Sequence, residues 1–125
     1  MHSKQAITAL GALAQETRLQ LFRLLVQQGP DGLSAGVLAD RLGVPPSSLS
    51  FHLAQLVHAG LITQRRLSRQ QIYAADYGAM NALMAFLTEN CCGGSAAACA
   101  PTGCDPAAAF AQGESDEAPA RQRRR

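Results

Sequence analysis

Apolar positions recur at helical spacing along most of the chain, and that rhythm lays out its elements. Ile7, Leu10, Leu13 and Ala14 predict a first helix over residues 4–14. Leu19, Phe22, Leu25 and Val26 predict a second over 16–28, with Arg18, Gln20, Arg23 and Gln27 mostly off that stripe. Gly29-Pro30-Asp31-Gly32 stops it in a turn. A third helix is expected over 35–42, with Ser34 as its cap and Val37, Leu38 and Leu42 facing inward. Gly43 suits the left-handed position that ends such a helix, and Val44-Pro45-Pro46 blocks continuation. A fourth helix over 47–58 closes at Gly60 and buries Leu49, Leu53, Leu56 and Val57. Ser47, Ser48, Phe51 and Gln55 fall largely on its other side, where Phe51 is a large apolar group on a face expected to be wet. Residues 61–66 and 70–75 read as two short strands, carrying Leu61-Ile62-Thr63 and Gln71-Ile72-Tyr73. Leu67-Ser68-Arg69 joins them as a hairpin without the Gly that favours a tight turn. A last helix is expected over 76–90, capped by Asp76. Met80, Leu83, Met84 and Leu87 form its stripe, which Ala79, Ala82 and Phe86 extend. A helix apolar on most sides must be buried on most sides, and a partner subunit is the natural cover.

This order gives a mainly α protein with a small β-hairpin, a winged helix-turn-helix. In that arrangement the third helix braces the DNA backbone and the fourth enters the major groove of duplex DNA. Ser47, Ser48 and Ser50 supply hydroxyls on the fourth helix, and Gln55 is able to pair with adenine or bond a phosphate. His52 reads either as a phosphate donor or as a packing histidine that orients the helix. Arg65, Arg66 and Arg69 lie on the wing with no acid among them. Neighbouring strand residues point to opposite faces, so Arg65 and Arg66 cannot act alike; the expected DNA contacts are Arg65 and, more surely, Arg69 at the tip, along with Phe51 of the fourth helix. Gln70 and Gln71 are weaker candidates.

Composition adds limits. The 125 residues suffice for one domain and a tail, and a thin core favours dimerisation. The net charge of +2 says little about nucleic acid, whereas the local wing cluster says more. No apolar run reaches the length of a membrane span and no signal peptide is visible, so a cytoplasmic location without membrane contact is expected. There, cysteines serve more often as ligands or reactive thiols than as staples. The expected layout is a DNA-binding and dimerisation domain over 1–90, a cysteine segment over 91–104 and a disordered tail over 105–125. The tail's Arg121 and Arg123 to Arg125 are offset by its acids.

Two runs then carry a resemblance. One is Ala12-Leu13-Ala14-Gln15-Glu16-Thr17-Arg18-Leu19-Gln20-Leu21-Phe22-Arg23-Leu24-Leu25. The other is Ser48-Leu49-Ser50-Phe51-His52-Leu53-Ala54-Gln55-Leu56-Val57-His58-Ala59-Gly60-Leu61-Ile62. Together they resemble the second helix, and the recognition helix with its exit into the wing, of the ArsR/SmtB family of metalloid- and metal-responsive repressors. The resemblance spans roughly residues 5–90. It implies a homodimer built from the first and last helices, operator binding without inducer, and release when inducer binds.

Cys91, Cys92, Cys99 and Cys104 form the remaining cluster. Thiolates are soft ligands and suit soft ions. Trivalent arsenic or antimony fits three thiolates in a pyramid, with Gly93-Gly94-Ser95 giving the chain freedom to fold back. Zinc is an alternative, although adjacent cysteines are not the usual spacing of its structural sites. A thiol redox switch and incidental thiols are others. A cysteine enzyme such as a small arsenate reductase is disfavoured, because no phosphate-cradling loop accompanies the thiols. Many arsenic sensors of the family carry Cys-x-Cys in the third helix, where this chain has Leu33-Ser34-Ala35-Gly36-Val37-Leu38. Thr88-Glu89-Asn90-Cys91-Cys92 instead resembles a subgroup whose arsenite site lies just past the last helix. That implies Cys91, Cys92 and Cys99 as ligands, with Cys104 extra, in place of Cys99, or supporting a two-thiolate site for a methylated arsenical. The family's zinc and nickel sites need His on the last helix, and residues 76–90 have none. The resulting expectation is no enzyme but a repressor, induced by As(III), Sb(III) or methylarsenite and needing no organic cofactor.

Overall fold

The computed structural model describes residues 1–94. Met1–Leu87 form one compact unit and a second begins at Thr88. The first unit contains α1 (Ser3–Leu13), α2 (Glu16–Gln28), β1 (Leu33–Ser34), α3 (Ala35–Leu42), α4 (Pro46–His58), β2 (Ile62–Leu67), β3 (Gln70–Ala75) and α5 (Tyr77–Leu87). The strands form one antiparallel sheet in the order β1-β3-β2.

Local chemistry sets the boundaries. The Gln15 side chain accepts from the Arg18 backbone N–H and starts α2. Ser34 caps α3 by accepting from Val37, as its position suggested. Gly43 ends α3 at φ 67°, a left-handed conformation costly for residues with a Cβ. Its N–H and that of Val44 both return to the Ala39 carbonyl. Pro46 opens α4 at the first helical position, where its missing N–H removes no bond. The helix therefore begins one residue earlier than the expected 47. Asp76 caps α5 through Ala79.

Leu21 and Leu25 of α2, Leu38 of α3, Leu49, Leu53 and Leu56 of α4, and Leu61 before the wing are the largest fully buried side chains. They bring α2, α3 and α4 onto one centre. Truncating one such leucine to Ala costs about 2–5 kcal/mol. The Tyr77 hydroxyl donates to the Val26 carbonyl at 2.9 Å, fastening the start of α5 to the end of α2.

Several expected inward positions lie outside. On α1 the small Ala6 and Ala9 are buried, whereas Ile7 is 69% and Leu10 42% exposed. On α2, Leu21 takes the buried place and Leu19 is exposed, because the face against α3, α4 and β3 is Leu21-Phe22-Leu25. Val37 of α3 is exposed beside the buried Leu38. On α5 only Leu83 is buried, while Met84 and Leu87 are more than half exposed. That helix ends at Leu87 rather than 90, and the chain then turns, reaching the left-handed region at Asn90. The first strand, Leu33–Ser34, was not expected. Its two residues are too few for a periodic signal, and pairing with Tyr73 and Ile72 defines it. The second strand runs over Ile62–Leu67 rather than 61–66, since Leu67 pairs with Gln70. Ser68, at φ 57°, supplies the positive φ of the tight turn in place of a glycine.

Candidate nucleic-acid interface and thiol pair

Gly43, Val44 and Pro45 join α3 to α4 and leave one long side of α4 uncovered. Ser47, Ser48, Ser50, Phe51 and Gln55 are all exposed there, as the pattern suggested. Ser47, Phe51 and Gln55 are four residues apart and so lie on one line along the helix. Ser47 and Ser48 also sit in the first turn, whose N–H groups have no side-chain cap.

His52 is half-buried at the edge of this face. An Arg18 guanidinium nitrogen lies 3.2 Å from its Nδ1, and the Arg18 Nε donates to the Ala12 carbonyl at 2.6 Å. A guanidinium has no acceptor, so Nδ1 must accept and the ring carries its proton on Nε2. Here His52 is a packing histidine that orients α4, and its Nε2–H remains a donor.

The wing arginines differ. Residues directly opposite in an antiparallel pair share a face. Arg65 opposes Ile72, and its guanidinium donates to the Asp31 carbonyl at 3.0 Å, on the turn between α2 and β1. Arg66 opposes Gln71 on the other face. The side chains of Arg66 and Arg69 are exposed and have no hydrogen bond or ion pair among the described residues. The free cations of the wing are thus Arg66 and Arg69, while Arg65 is engaged within its own chain. From Arg41 to Ala75 the chain contains no Asp or Glu. The polar residues that α4 and the wing themselves contribute are therefore cations, hydroxyls, amides and imidazoles with no carboxylate among them, a composition that suits an anionic partner.

In the second unit, Cys91–Gly94 form a short turn in which Cys92 and Gly93 take left-handed backbone angles. Cys91 and Cys92 are thiols not joined in a disulfide, the first half-buried and the second exposed. Their sulfurs are 3.5 Å apart, and Cys92 is held at φ 61°. Two sulfurs each bonded to one ion at about 2.3 Å lie no more than about 4.6 Å apart, so this pair fits a single soft ion. Among the described residues no group of three His, Cys, Asp or Glu converges on a metal position. Cys99, Cys104 and the tail lie outside the described residues.

A family model for a helix-turn-helix domain matches residues 13–65. The chain is 34% identical over 86 residues to the transcriptional activator HlyU of Vibrio cholerae, covering 69% of this chain and 77% of HlyU. It is 33% identical over 90 residues to the HTH-type transcriptional regulator YgaV of Escherichia coli, covering 72% of this chain and 89% of YgaV. Its fold matches an ArsR-like transcriptional regulator from Rhodococcus at a TM-score of 0.60 and 28% identity, over 67% of this chain and 76% of that one. The chain belongs to the ArsR-like family of winged helix-turn-helix regulators.

Two further structures place this ArsR-like regulator among its relatives. One is a homodimeric winged helix-turn-helix DNA-binding domain from Mycobacterium bovis. It has 28% identity and a TM-score of 0.56, over 70% of this chain and 81% of that one. The other is HlyU in a form described as reduced, with 31% identity and a TM-score of 0.56, over 71% of this chain and 90% of that one. The ArsR-like regulator is a transcriptional regulator with a DNA-binding winged helix, not an enzyme. No helix among its described residues is long and apolar enough to cross a membrane. The two features missed in the sequence are Arg18 and the Arg66 side of the wing. Arg18 lay off the apolar stripe and looked like any solvated cation. The face of Arg66 depends on a strand register that an alternating pattern alone would fix, and Thr63-Gln64-Arg65-Arg66 does not alternate.

Proposed function

We propose that two copies of this regulator pair through α1 and α5, occupy an operator, and leave it when trivalent arsenic or antimony binds thiolates that include Cys91 and Cys92. The observation that carries the inducer is the pair of thiol sulfurs 3.5 Å apart, without a disulfide, immediately after α5 in the chain. Cys99 and Cys104 are the sources of a third thiolate. The outward Ile7, Leu10, Met84 and Leu87 on α1 and α5 support the homodimer, as does the dimeric M. bovis relative. The exposed side of α4 meets the major groove with Ser47, Ser48, Ser50 and Gln55, and Arg66 and Arg69 meet the flanking backbone. Ligation fixes the turn that continues α5, and a tenfold loss of operator affinity needs only about 1.4 kcal/mol of coupling. Repression follows from occluding a promoter. The test is fluorescence anisotropy of an operator duplex titrated with arsenite under a thiol reductant. The wild-type chain releases the duplex, and variants with Cys91→Ser or Cys92→Ser hold it. Release unchanged in a variant with all four cysteines changed to Ser overturns the proposal.

The same thiol pair favours one second reading, a redox switch, and HlyU has been solved in a reduced form. Peroxide takes two electrons and two protons from the thiols, one disulfide forms, and two waters leave. Mass loss and operator release on peroxide alone, with no response to arsenite, select this reading.

A further inference from the structure

Phe51 is 58% exposed in the middle of α4, on the side opposite the buried Leu49, Leu53 and Leu56. Its neighbours one turn away are Ser47, Ser48, Ala54 and Gln55, all exposed, so no large apolar side chain on the helix covers the ring. The ring is nevertheless held. It meets His52 edge-on, with centroids 5.6 Å apart at 67°, and His52 is itself fixed by Arg18. The large apolar groups that α1 and α5 leave exposed are a separate set from this one, because Phe51 stands among hydroxyls on a helix that carries no carboxylate. Its occupant must be anionic overall yet offer one apolar group at the depth a phenyl ring reaches. Duplex DNA meets both conditions, and in the major groove the apolar group is the C5-methyl of thymine.

We infer that Phe51 reads a thymine methyl in each half-site, making it a specificity-determining residue of the recognition helix. The inference rests on the operator reading above and adds to it the identity of one base. Serines and Gln55 bond to polar edges or phosphates, which several sequences satisfy, whereas a methyl is present on thymine and absent from the other unmodified bases.

The probe is a duplex selected by the wild-type chain from a random pool. Each thymine of the selected duplex is then replaced by deoxyuridine, which keeps pairing and the O4 acceptor and deletes only the methyl. At one symmetry-related position per half-site, wild-type affinity falls about fourfold per methyl, the fold-change for burying one such carbon. Phe51→Ala, checked for folding by circular dichroism, binds thymine and deoxyuridine duplexes equally well. Phe51→Leu keeps part of the discrimination. A selected duplex with no methyl-sensitive position overturns the inference and leaves the operator reading standing. So does a Phe51→Ala variant that keeps full methyl sensitivity. A wild-type chain that selects no duplex overturns the operator reading, and this inference with it.

Discussion

Replacing Arg18 by Ala removes the link between the end of α1 and the recognition helix. Two bonds are lost, from Nε to the Ala12 carbonyl and from the guanidinium to His52 Nδ1. The backbone bond from Arg18 to the Gln15 side chain survives, and Ala is at least as good a helix former as Arg. Any loss therefore comes from the side chain. A charge-assisted bond contributes about 1.5–3 kcal/mol when shielded and an ordinary one about 1 kcal/mol. Arg18 is half-buried, so water replaces part of what is removed, and the expected loss is about 2 kcal/mol. For a domain of this size that lowers the thermal midpoint by about 8–16 °C. The assay is urea and thermal unfolding at matched protein concentration, since dimerisation shifts apparent stability by mass action. A double-mutant cycle with His52→Ala isolates the contact, with an expected coupling of about 1 kcal/mol. Coupling below about 0.3 kcal/mol would refute the reasoning and make Arg18 a surface cation with an incidental neighbour.

Gly32 and Gly36 respond oppositely to Ala. At Gly32, φ is +76° and an added Cβ runs into the Tyr73 carbonyl oxygen, so a loss of about 2–5 kcal/mol is expected in urea unfolding. At Gly36, exposed in the first turn of α3, the new Cβ meets nothing, and a gain of up to about 1 kcal/mol is expected. Tyr77→Phe removes the bond to Val26 and should cost about 0.5–1.5 kcal/mol while leaving operator affinity unchanged in anisotropy. Ile7→Ser combined with Leu10→Ser should shift sedimentation velocity from dimer toward monomer without lowering helical content, because both side chains face outward in the single chain.

The fold was legible where residue chemistry acts locally. Ser34, Gly43, Asp76 and the Pro45-Pro46 pair mark element ends by what their side chains and rings permit, and the structure uses all of them. The exposed side of α4 was legible because the leucine stripe leaves a polar remainder at helical spacing. What stayed hidden depends on contacts distant in sequence. The Arg18–His52 bond spans 34 positions, and the Arg65–Asp31 bond spans as many. Neither side chain is unusual in its own element. Their partners are fixed only once α2 lies against α4 and the turn before β1 lies against the wing.

The outward apolar residues show where periodicity stops informing. A helical stripe reveals that some apolar surface is needed, but its period is the same whether the cover is the chain's own core or a second copy. Residue size separates the two cases on α1, whereas α5 carries large groups on both sides. On α1 the side chains turned inward are Ala6 and Ala9, while Ile7 and Leu10 are left out. On α5, Leu83 is turned inward, while Met84 and Leu87 are left out. A monomer would bury its large groups and expose its small ones. Here the alanines let α1 sit close to its neighbours, and the larger side chains remain for an outside contact. That contact lies on the helix whose continuation carries Cys91 and Cys92, so ligating those thiols restrains the chain directly beyond an element on which the proposed dimer depends.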